Sequence, residues 1–424
     1  MTLWSEDPST SSTTEEYTRE PDGLEQQLLP YDILGNIAHV RMLEEQGYLE
    51  EQELEAVEQV LREIYAEKPE VDAEDVHTFV EEEVTERTAA GKKIHTGRSR
   101  NDQVVLDTRL YMKEGSVQVA REALELVEAL NEFAEEENQL VPGYTHQRQA
   151  MPSSTGLWAS SFADAIIDDL ELLRSVYGVL NRNPLGAAAG YGTSLEIDRE
   201  HTAELLGFSS VQENPVYCVN RGKHELMLLQ ALDQLMMDLG KMCEDLINFS
   251  GDQQIFEIPG EFCTGSSIMP QKENPDVLEI ARGKSSEFTG HVQAVRATVS
   301  KLPSGYNRDT QLTKKHLFQS LEDVSETLEV LEELVSGLEV SDGFEVREEV
   351  HAAHTANRMV ESGIPFREAH HRVKKEQDYV KDFEVKEPRS QDAGDLEEFW
   401  SREFGELEEV KSELLGNSFE GSRE

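Results

Sequence analysis

Three apolar seams constrain the fold of this chain more than any other feature of its sequence. Their side chains recur in alternating steps of three and four residues over 228–249, 317–338 and 106–127, and only Lys113 interrupts the last of them. This spacing places apolar side chains on one stripe of an α-helix, which buries that stripe against neighbouring helices. The seams therefore predict long helices that pack side by side in a bundle, and an all-α fold class.

A further helix is expected over 157–180. Loops that contain glycine and proline separate the helical blocks, among them 141–152 and 183–194, and such loops can be shaped around a ligand. They count against the alternative that the chain is a coiled-coil structural protein. We place domain boundaries near Gly97 and Glu345. The predicted domains are an N-terminal helical domain over 1–97, a central helical-bundle domain over 98–345 and a small C-terminal helical domain over 346–424.

The charge of the chain excludes some classes of partner. Its 86 acidic and 39 basic residues give a formal net charge of −47, a surface that repels nucleic acid and anionic membranes. The acidic residues occur throughout the chain, which favours solvated helix faces over a concentrated binding surface for a basic partner. We hypothesise a host with a salty cytosol, where molar salt screens repulsion beyond roughly 3 Å.

Several absences point to a cytoplasmic protein. The three cysteines, Cys218, Cys243 and Cys263, lack metal-like spacing and are odd in number, so we expect no disulfide and no zinc. Met1 to Glu25 is polar and acidic, unlike a signal peptide. No apolar run approaches the roughly 20 residues that would span a bilayer.

One loop, residues 265–276, has the composition of an anion site. Asn274 is a good helix N-cap and Pro275 suits the first helical position, so we expect a helix to begin here. Its free N–H groups and its dipole would then face the Gly-Ser-Ser segment, where Lys272 adds a positive charge. A Ser-Gly turn that only caps a helix is the alternative for so short a motif. The full string favours a site for a carboxylate.

The string Gly265-Ser266-Ser267-Ile268-Met269-Pro270-Gln271-Lys272-Glu273-Asn274-Pro275 resembles the signature loop of the fumarase and aspartase superfamily. Members of this superfamily eliminate fumarate from succinyl compounds. The resemblance implies that Ser266 is the catalytic base. It also implies that Lys272 and Asn274 stabilise the negative charge that develops when the substrate loses its proton.

A basic cluster stands out in this acidic chain over residues 92–103. Arginine offers paired donors for carboxylates, and neighbouring polar side chains add neutral donors. A solvated helix start paired with nearby acids is the alternative interpretation. The string Lys92-Lys93-Ile94-His95-Thr96-Gly97-Arg98-Ser99-Arg100-Asn101-Asp102-Gln103 resembles a segment of the argininosuccinate lyase family. The resemblance implies that Ser99, Arg100 and Asn101 bind substrate carboxylates.

Three other segments are similar to motifs of that family. Thr145-His146 implies a substrate-binding threonine and a catalytic histidine that pairs with a glutamate, which by position is Glu279. Taken alone, a loop histidine is more often a surface residue. The segment from Leu302 to Gln311, with the residues that follow it, resembles another motif. This resemblance implies that Tyr306, Gln311 and Lys314 contact the amino-acid end of the substrate.

Other matches are less complete. Thr313 stands where many relatives carry an aspartate, and Asn220-Arg221-Gly222 replaces a Ser-x-Arg-Asp motif but retains Arg221 as a candidate ligand contact. His77 lies in a segment that resembles a histidine motif of the first domain, and a structural role for it is an equal alternative.

The resemblance implies a lyase that eliminates fumarate from argininosuccinate to give arginine. It also implies a homotetramer whose central helices form one bundle and whose active sites are shared among subunits, with no metal or organic cofactor. Adenylosuccinate lyase and a lyase for another N-succinylated amine are the alternatives within the superfamily. The remaining alternative is a relative of the same fold that is not an enzyme. It is disfavoured because the chain retains Ser266, Lys272, Asn274, His146 and Glu279.

Overall fold

The computed structural model describes residues 23–416, together with the single positions Thr13 and Tyr17. Expectations for the rest of the chain, including most of the segment judged unlike a signal peptide, lie outside this part. Helices dominate the described part, as predicted. The shorter helices are α1 (Leu24–Glu45), α2 (Glu51–Glu67), α3 (Val76–Arg87), α6 (Arg199–Leu205), α7 (Pro215–Cys218), α11 (Ala352–Glu361), α12 (Phe366–Glu376) and α13 (Gly394–Leu415).

Five long helices form the centre of the molecule. α8 packs antiparallel to α9, α4 packs on α5 and α10, and α5 also packs on α8. Each of the three apolar seams lies on one of these helices, except that Leu338 follows the end of its helix. The long helices are α4 (Arg100–Glu136), α5 (Thr155–Leu180), α8 (Lys223–Ser250), α9 (Asp276–Val299) and α10 (Lys314–Ser336).

Lys113, which interrupts a seam in the sequence, is buried rather than turned to solvent. Only 1% of it is exposed, its Nζ donates to the Gly207 carbonyl oxygen at 2.5 Å, and the same atom lies 4.4 Å from the centre of the Phe208 ring. Burial lowers the pKa of Lys113 to about 7. The seam is therefore continuous in packing, with a lysine stem in place of one apolar side chain.

Short antiparallel ladders connect some of the helices. Strand β1 (Leu140–Thr145) pairs with β2 (Arg148–Ser154) in a hairpin between α4 and α5. The other strands have two residues each: β3 (Phe256–Glu257) pairs with β6 (Glu339–Val340), and β4 (Thr264–Gly265) pairs with β5 (Glu273–Asn274). The segment over 141–152, interpreted as a loop from the sequence, is mostly this first hairpin.

The C-terminal helices pack in two different places. α11 and α12 share a small core of their own around Ala356, Ala369 and Val373. α13 instead packs on α4 and α1, and Trp400 is fully buried with its ring 5.4 Å from that of Tyr177. Across the described residues, no helix is both long enough and apolar enough to cross a bilayer.

Candidate active site

A cleft of about 250 Å³ opens where α4 begins. It brings together side chains that are far apart in sequence, and seven of them are among the predicted site residues. The predicted residues that line it are His77, Arg100, Asn101, Arg221, Tyr306, Gln311 and Lys314. The motifs that carry His77, Arg100 and Arg221 therefore meet the segment over 306–314 in one place within a single subunit.

The start of α4 positions two of these residues. Ser99 is the N-cap: its Oγ accepts from the Asn101 N–H at 3.3 Å, and the Asp102 side chain accepts from the Ser99 N–H at 2.8 Å. This capping box fixes Arg100 and Asn101 in the first turn, facing the cleft. Ser99 itself does not line the cleft. The second oxygen of Asp102 accepts from the Gly186 and Ala188 N–H groups, which ties the loop over 183–194 to the start of α4.

Arg221 brings a buried positive charge to the cleft. It is 8% exposed, its Nε lies 3.9 Å from Glu225 Oε1, and neither its Nε nor its Nη2 has a hydrogen-bond partner. The following residue, Gly222, is the N-cap of α8, has a φ of 91° and lies against Val299 at the end of α9. Free guanidinium donors in a cleft are suited to an anionic ligand.

Lys314 and its neighbours form another wall. Lys314 is 3% exposed, and its Nζ lies 2.5 Å from Glu25 Oε1. Tyr306 is exposed at the rim, and Gln311 belongs to a 3₁₀ turn that precedes α10. Thr313 is fully buried, and its hydroxyl donates to the Thr310 carbonyl oxygen at 2.8 Å, so it does not line the cleft.

His77 reaches the cleft from a cluster of buried acids. Its Nδ1 lies 2.7 Å from Asp32 Oδ1 and 3.5 Å from Asp107 Oδ2, and its buried Nε2 has no partner. Burial lowers the pKa of His77, but the charge and hydrogen bond of Asp32 and the charge of Asp107 outweigh it and raise the pKa to about 9. Such a histidine is an imidazolium at neutral pH, with its Nε2–H available to an acceptor.

These three buried groups offer ligand atoms within 4.8 Å of one another, which raises the question of a metal. A metal needs neutral imidazole, whereas the pair with Asp32 favours the protonated ring. The arrangement therefore fits an ion-paired histidine better than a metal ligand. Sequence reasoning missed Asp32 and Asp107. Their signal was an acid inside an apolar stretch, between Tyr31 and Ile33 in one case and next to Leu106 in the other.

The signature loop lies on another part of the subunit. Ser266 is half-buried, and its Oγ accepts from the Met269 N–H at 3.1 Å and from the Ile268 N–H at 3.4 Å. Lys272 is exposed. The loop is closed at its base by the two-residue ladder of β4 and β5. Its polar groups therefore face solvent in the single subunit.

The expected start of α9 was wrong by one residue. The helix begins at Asp276, with Pro275 rather than Asn274 in the capping position and with no side-chain cap. Asn274 instead belongs to β5, where it pairs with Thr264, and the Thr264 hydroxyl donates to the Asp276 carboxylate. This pairing draws Asn274 out of the helix. Glu279 is exposed in the first turn of α9, as the placement of the helix implied.

Thr145 and His146 are exposed at the tip of the β1–β2 hairpin. His146 and Gln147 have φ values of 54° and 56°, which make a tight two-residue turn. The ring of Tyr144 lies 5.8 Å from that of Phe249, which fixes the hairpin at the end of α8. No hydrogen bond or ion pair joins His146 to Glu279 among the described residues.

The two groups of site residues lie at opposite ends of the long helices. Gly222, beside the cleft, contacts Val299, and the 20 residues from there back to Glu279 span about 30 Å of helix. Likewise, the 27 residues of α8 from Gly222 to Phe249, where the hairpin packs, span about 40 Å. A single subunit therefore does not bring the cleft together with Ser266, Lys272, Glu279 or His146.

Comparison with known proteins places this arrangement in a family. A sequence profile of the family described as Lyase matches residues 12–290. Argininosuccinate lyase from Thermotoga neapolitana is 38% identical over 387 residues, which cover 88% of this chain and 97% of that protein. Argininosuccinate lyase from Parabacteroides distasonis is 39% identical over 363 residues, covering 82% of this chain and 80% of that protein.

Solved structures agree on the fold. EDDS lyase in complex with formate superposes with a TM-score of 0.76 at 20% identity, over 96% of this chain and 91% of that chain. Class II fumarase from Schistosoma mansoni superposes with a TM-score of 0.74 at 16% identity, over 94% of this chain and 93% of that one. The chain is therefore a lyase that belongs to the argininosuccinate lyase family of the fumarase and aspartase superfamily.

Proposed function

We propose that the protein cleaves argininosuccinate into arginine and fumarate. The observation that carries the proposal is the cleft itself, which concentrates Arg100, Arg221, Lys314 and His77, whose pKa is raised despite burial to about 9, chiefly by Asp32, in a chain with a net charge of −47. Such a concentration of cations suits a ligand with several carboxylates. In the reaction, a base removes a proton from the carbon next to a succinyl carboxylate, and the carbon–nitrogen bond on the adjacent carbon breaks.

Ser266 is suited to act as the base. The N–H groups of Ile268 and Met269 already donate to its Oγ, and hydrogen bonds to an oxygen favour its negatively charged form. Lys272, on the same loop, adds a positive charge that serves both the alkoxide and the carbanion formed from the substrate. Asn274 and the N-terminal end of α9 supply further donors for the developing charge.

His146, oriented by Glu279, assists at the leaving nitrogen. Its place at the tip of a rigid hairpin lets it reach into a site on another subunit, and such acid–base assistance is typically worth about 10²- to 10⁴-fold in rate. Thr145, beside it, would bind a substrate carboxylate together with Arg100 and Asn101, while Ser99 caps the helix that positions them. Tyr306, Gln311 and Lys314 would hold the arginine part.

The separation of the two residue groups supports a shared site in a homotetramer. At least two subunits, arranged antiparallel, are needed to bring the end that carries Ser266 to the cleft of another. Side chains suited to such contacts remain uncovered on the central helices: Ile280 is 64% and Met237 55% exposed, and a Cβ on Gly283 or Gly290 would meet nothing within 4 Å. Small and apolar residues on one face permit close helix packing between copies.

The setting of the protein forms part of the proposal. We infer a cytoplasmic enzyme of a host with high internal salt, without nucleic acid or membrane partners, because its acidic charge would repel both. The proposed reaction uses only side chains and backbone groups of the protein and requires no metal or organic cofactor.

Incubation of the purified protein with argininosuccinate, while fumarate absorbance is followed, tests the proposal. We expect fumarate to be released from argininosuccinate and not from adenylosuccinate. Release from adenylosuccinate alone would assign the alternative lyase activity. If neither substrate released fumarate, the remaining alternative would be a lyase for another N-succinylated amine. Thr313 and the altered motif around Arg221 are consistent with such a change of substrate.

A further inference from the structure

We propose that Glu74 receives the α-ammonium group of the arginine part of the substrate, an inference that rests on the proposed function. The amino-acid end of argininosuccinate carries both a carboxylate and an ammonium group. A cleft that holds it must therefore offer a negative group among its cations. The structure offers Glu74 for this role, a residue that no motif in the sequence pointed to.

Glu74 lines the cleft immediately before the helix that carries His77. Its Oε1 accepts a long hydrogen bond of 3.4 Å from Arg308 Nη2, and its Oε2 lies 3.8 Å from Arg100 Nη1. Oε2 is buried, and no hydrogen-bond donor reaches it. A buried carboxylate oxygen without a donor is costly unless a ligand completes it.

The other acids near the cleft are already occupied. Asp75 caps α3, since its Oδ1 accepts from the Thr78 N–H at 2.7 Å, and its Oδ2 lies 3.2 Å from Arg100 Nη1. Glu25 accepts from the Val76 N–H through Oε2 and pairs with Lys314 through Oε1. Among the described residues that line the cleft, Glu74 is therefore the acid that retains an oxygen for a ligand.

Neighbouring polar groups do not replace it. Asp32 directs one oxygen to His77 and the other to the side chain of Asn36, at 2.7 and 2.8 Å, and does not line the cleft. Thr313 is fully buried behind the wall. An ammonium group placed among Arg100, Arg221 and Lys314 without a nearby acid would be repelled, so the side chain of Glu74 decides whether the cleft accepts an amino acid or only a dicarboxylate.

The test pairs Glu74→Gln with a ligand that lacks the α-ammonium group. The probes are arginine and its desamino analogue, 5-guanidinopentanoate, measured by calorimetry and as competitive inhibitors. We expect Glu74→Gln to weaken arginine binding about 10- to 100-fold, the size of a charge-assisted hydrogen bond, and to leave analogue binding within about twofold. The KM for argininosuccinate should rise in parallel, with a smaller change in kcat.

Glu70→Gln is the matched control, because it makes the same substitution at an exposed residue of the same connection that does not line the cleft. We expect it to bind both probes like the wild type. Equal loss of both probes in Glu74→Gln would indicate a distorted cleft and would overturn the proposal, as would unchanged arginine binding. Failure of the proposed function is distinguishable, since the wild-type protein would then release no fumarate from argininosuccinate.

Discussion

Gly222 lies against Val299 so closely that a Cβ on the glycine would overlap the valine side chain. This contact joins the start of α8 to the end of α9. It holds Arg221 at the cleft, and it sets Glu279 and the signature loop at the other end of α9, about 30 Å away. The distribution of the site over the subunit follows from this pair.

Gly222→Ala should destabilise the protein. The residue has a φ of 91°, which an L side chain rarely adopts, and the added methyl group collides with a β-branched side chain, so we expect a cost of about 2–4 kcal/mol. Urea denaturation measures the change. Gly260→Ala is the control, because a Cβ there meets nothing within 4 Å, and it should unfold like the wild type. Equal midpoints for both variants would refute the packing argument.

Mixed assemblies of two inactive variants should recover activity. Arg221→Ala removes a cation from the cleft, and Ser266→Ala removes the proposed base at the far end of the long helices. If each site draws these residues from two subunits, random 1:1 assembly leaves about a quarter of sites intact. The fumarate assay, after the variants are unfolded and refolded together, measures the recovery. A mixture no more active than its components would show that both residues come from one subunit.

Ser266→Ala and Lys272→Met should each abolish turnover while argininosuccinate still binds. In the proposed mechanism both side chains act on charge that appears only during proton removal, so we expect their loss to reduce kcat and to have a smaller effect on binding. Calorimetric titration with argininosuccinate and the fumarate assay separate the two effects. Turnover near that of the wild type in either variant would disprove its catalytic role.

Asp169→Asn should stabilise the protein at pH 8 and have less effect near pH 4. Burial, with contributions from Asp238 and Asp168, raises the pKa of Asp169 to about 7, and one of its oxygens has no hydrogen-bond partner. The folded state therefore holds this proton more tightly than the unfolded state, and stability falls as pH rises from about 4 to 7. Melting temperatures across this range measure the effect.

The exposed Asp252→Asn is the control for that experiment and should leave the melting temperature unchanged at every pH. A variant at Asp169 that melts below the wild type at pH 8 would show that its carboxylate is stabilising rather than strained.

The melting temperature of the wild-type protein should rise from low to molar KCl. A net charge of −47 makes the folded chain repel itself. A higher salt concentration shortens the distance over which this repulsion acts and so weakens it. Thermal unfolding at a series of KCl concentrations tests this. A melting temperature independent of salt would remove the argument for a salty cytosol.

The sequence predicted the helices better than their contacts. Helical periodicity is local, so the seams on α4, α8 and α10 are visible in the chain itself. Whether a polar residue in a seam faces solvent depends on its neighbours in space. Lys113 is buried because the Gly207 carbonyl oxygen accepts a hydrogen bond from its Nζ and the Phe208 ring lies against that atom, and both residues are remote in sequence.

Only part of the candidate site could be predicted, because it too depends on contacts between residues that are distant in sequence. Motifs identified Arg100, Arg221 and Lys314 separately, but their meeting in one cleft is a product of helix packing. Asn274 was misplaced because its capping preference competes with a ladder to Thr264, which a reading of the adjacent residues does not reveal. Asp107 and Glu74 acquire their importance only from what surrounds them.

The long helices set the distance between the two groups of candidate site residues. One residue inserted in α9 between Glu279 and Val299 would shift everything beyond it by about 1.5 Å and rotate it by roughly 100°. An insertion of seven residues, close to two whole turns, would nearly preserve the facing of the helix, but it would lengthen the helix by about 10 Å. A change in the length of a surface loop would leave the separation of Glu279 from Gly222 intact, whereas a change in the length of α9 would not.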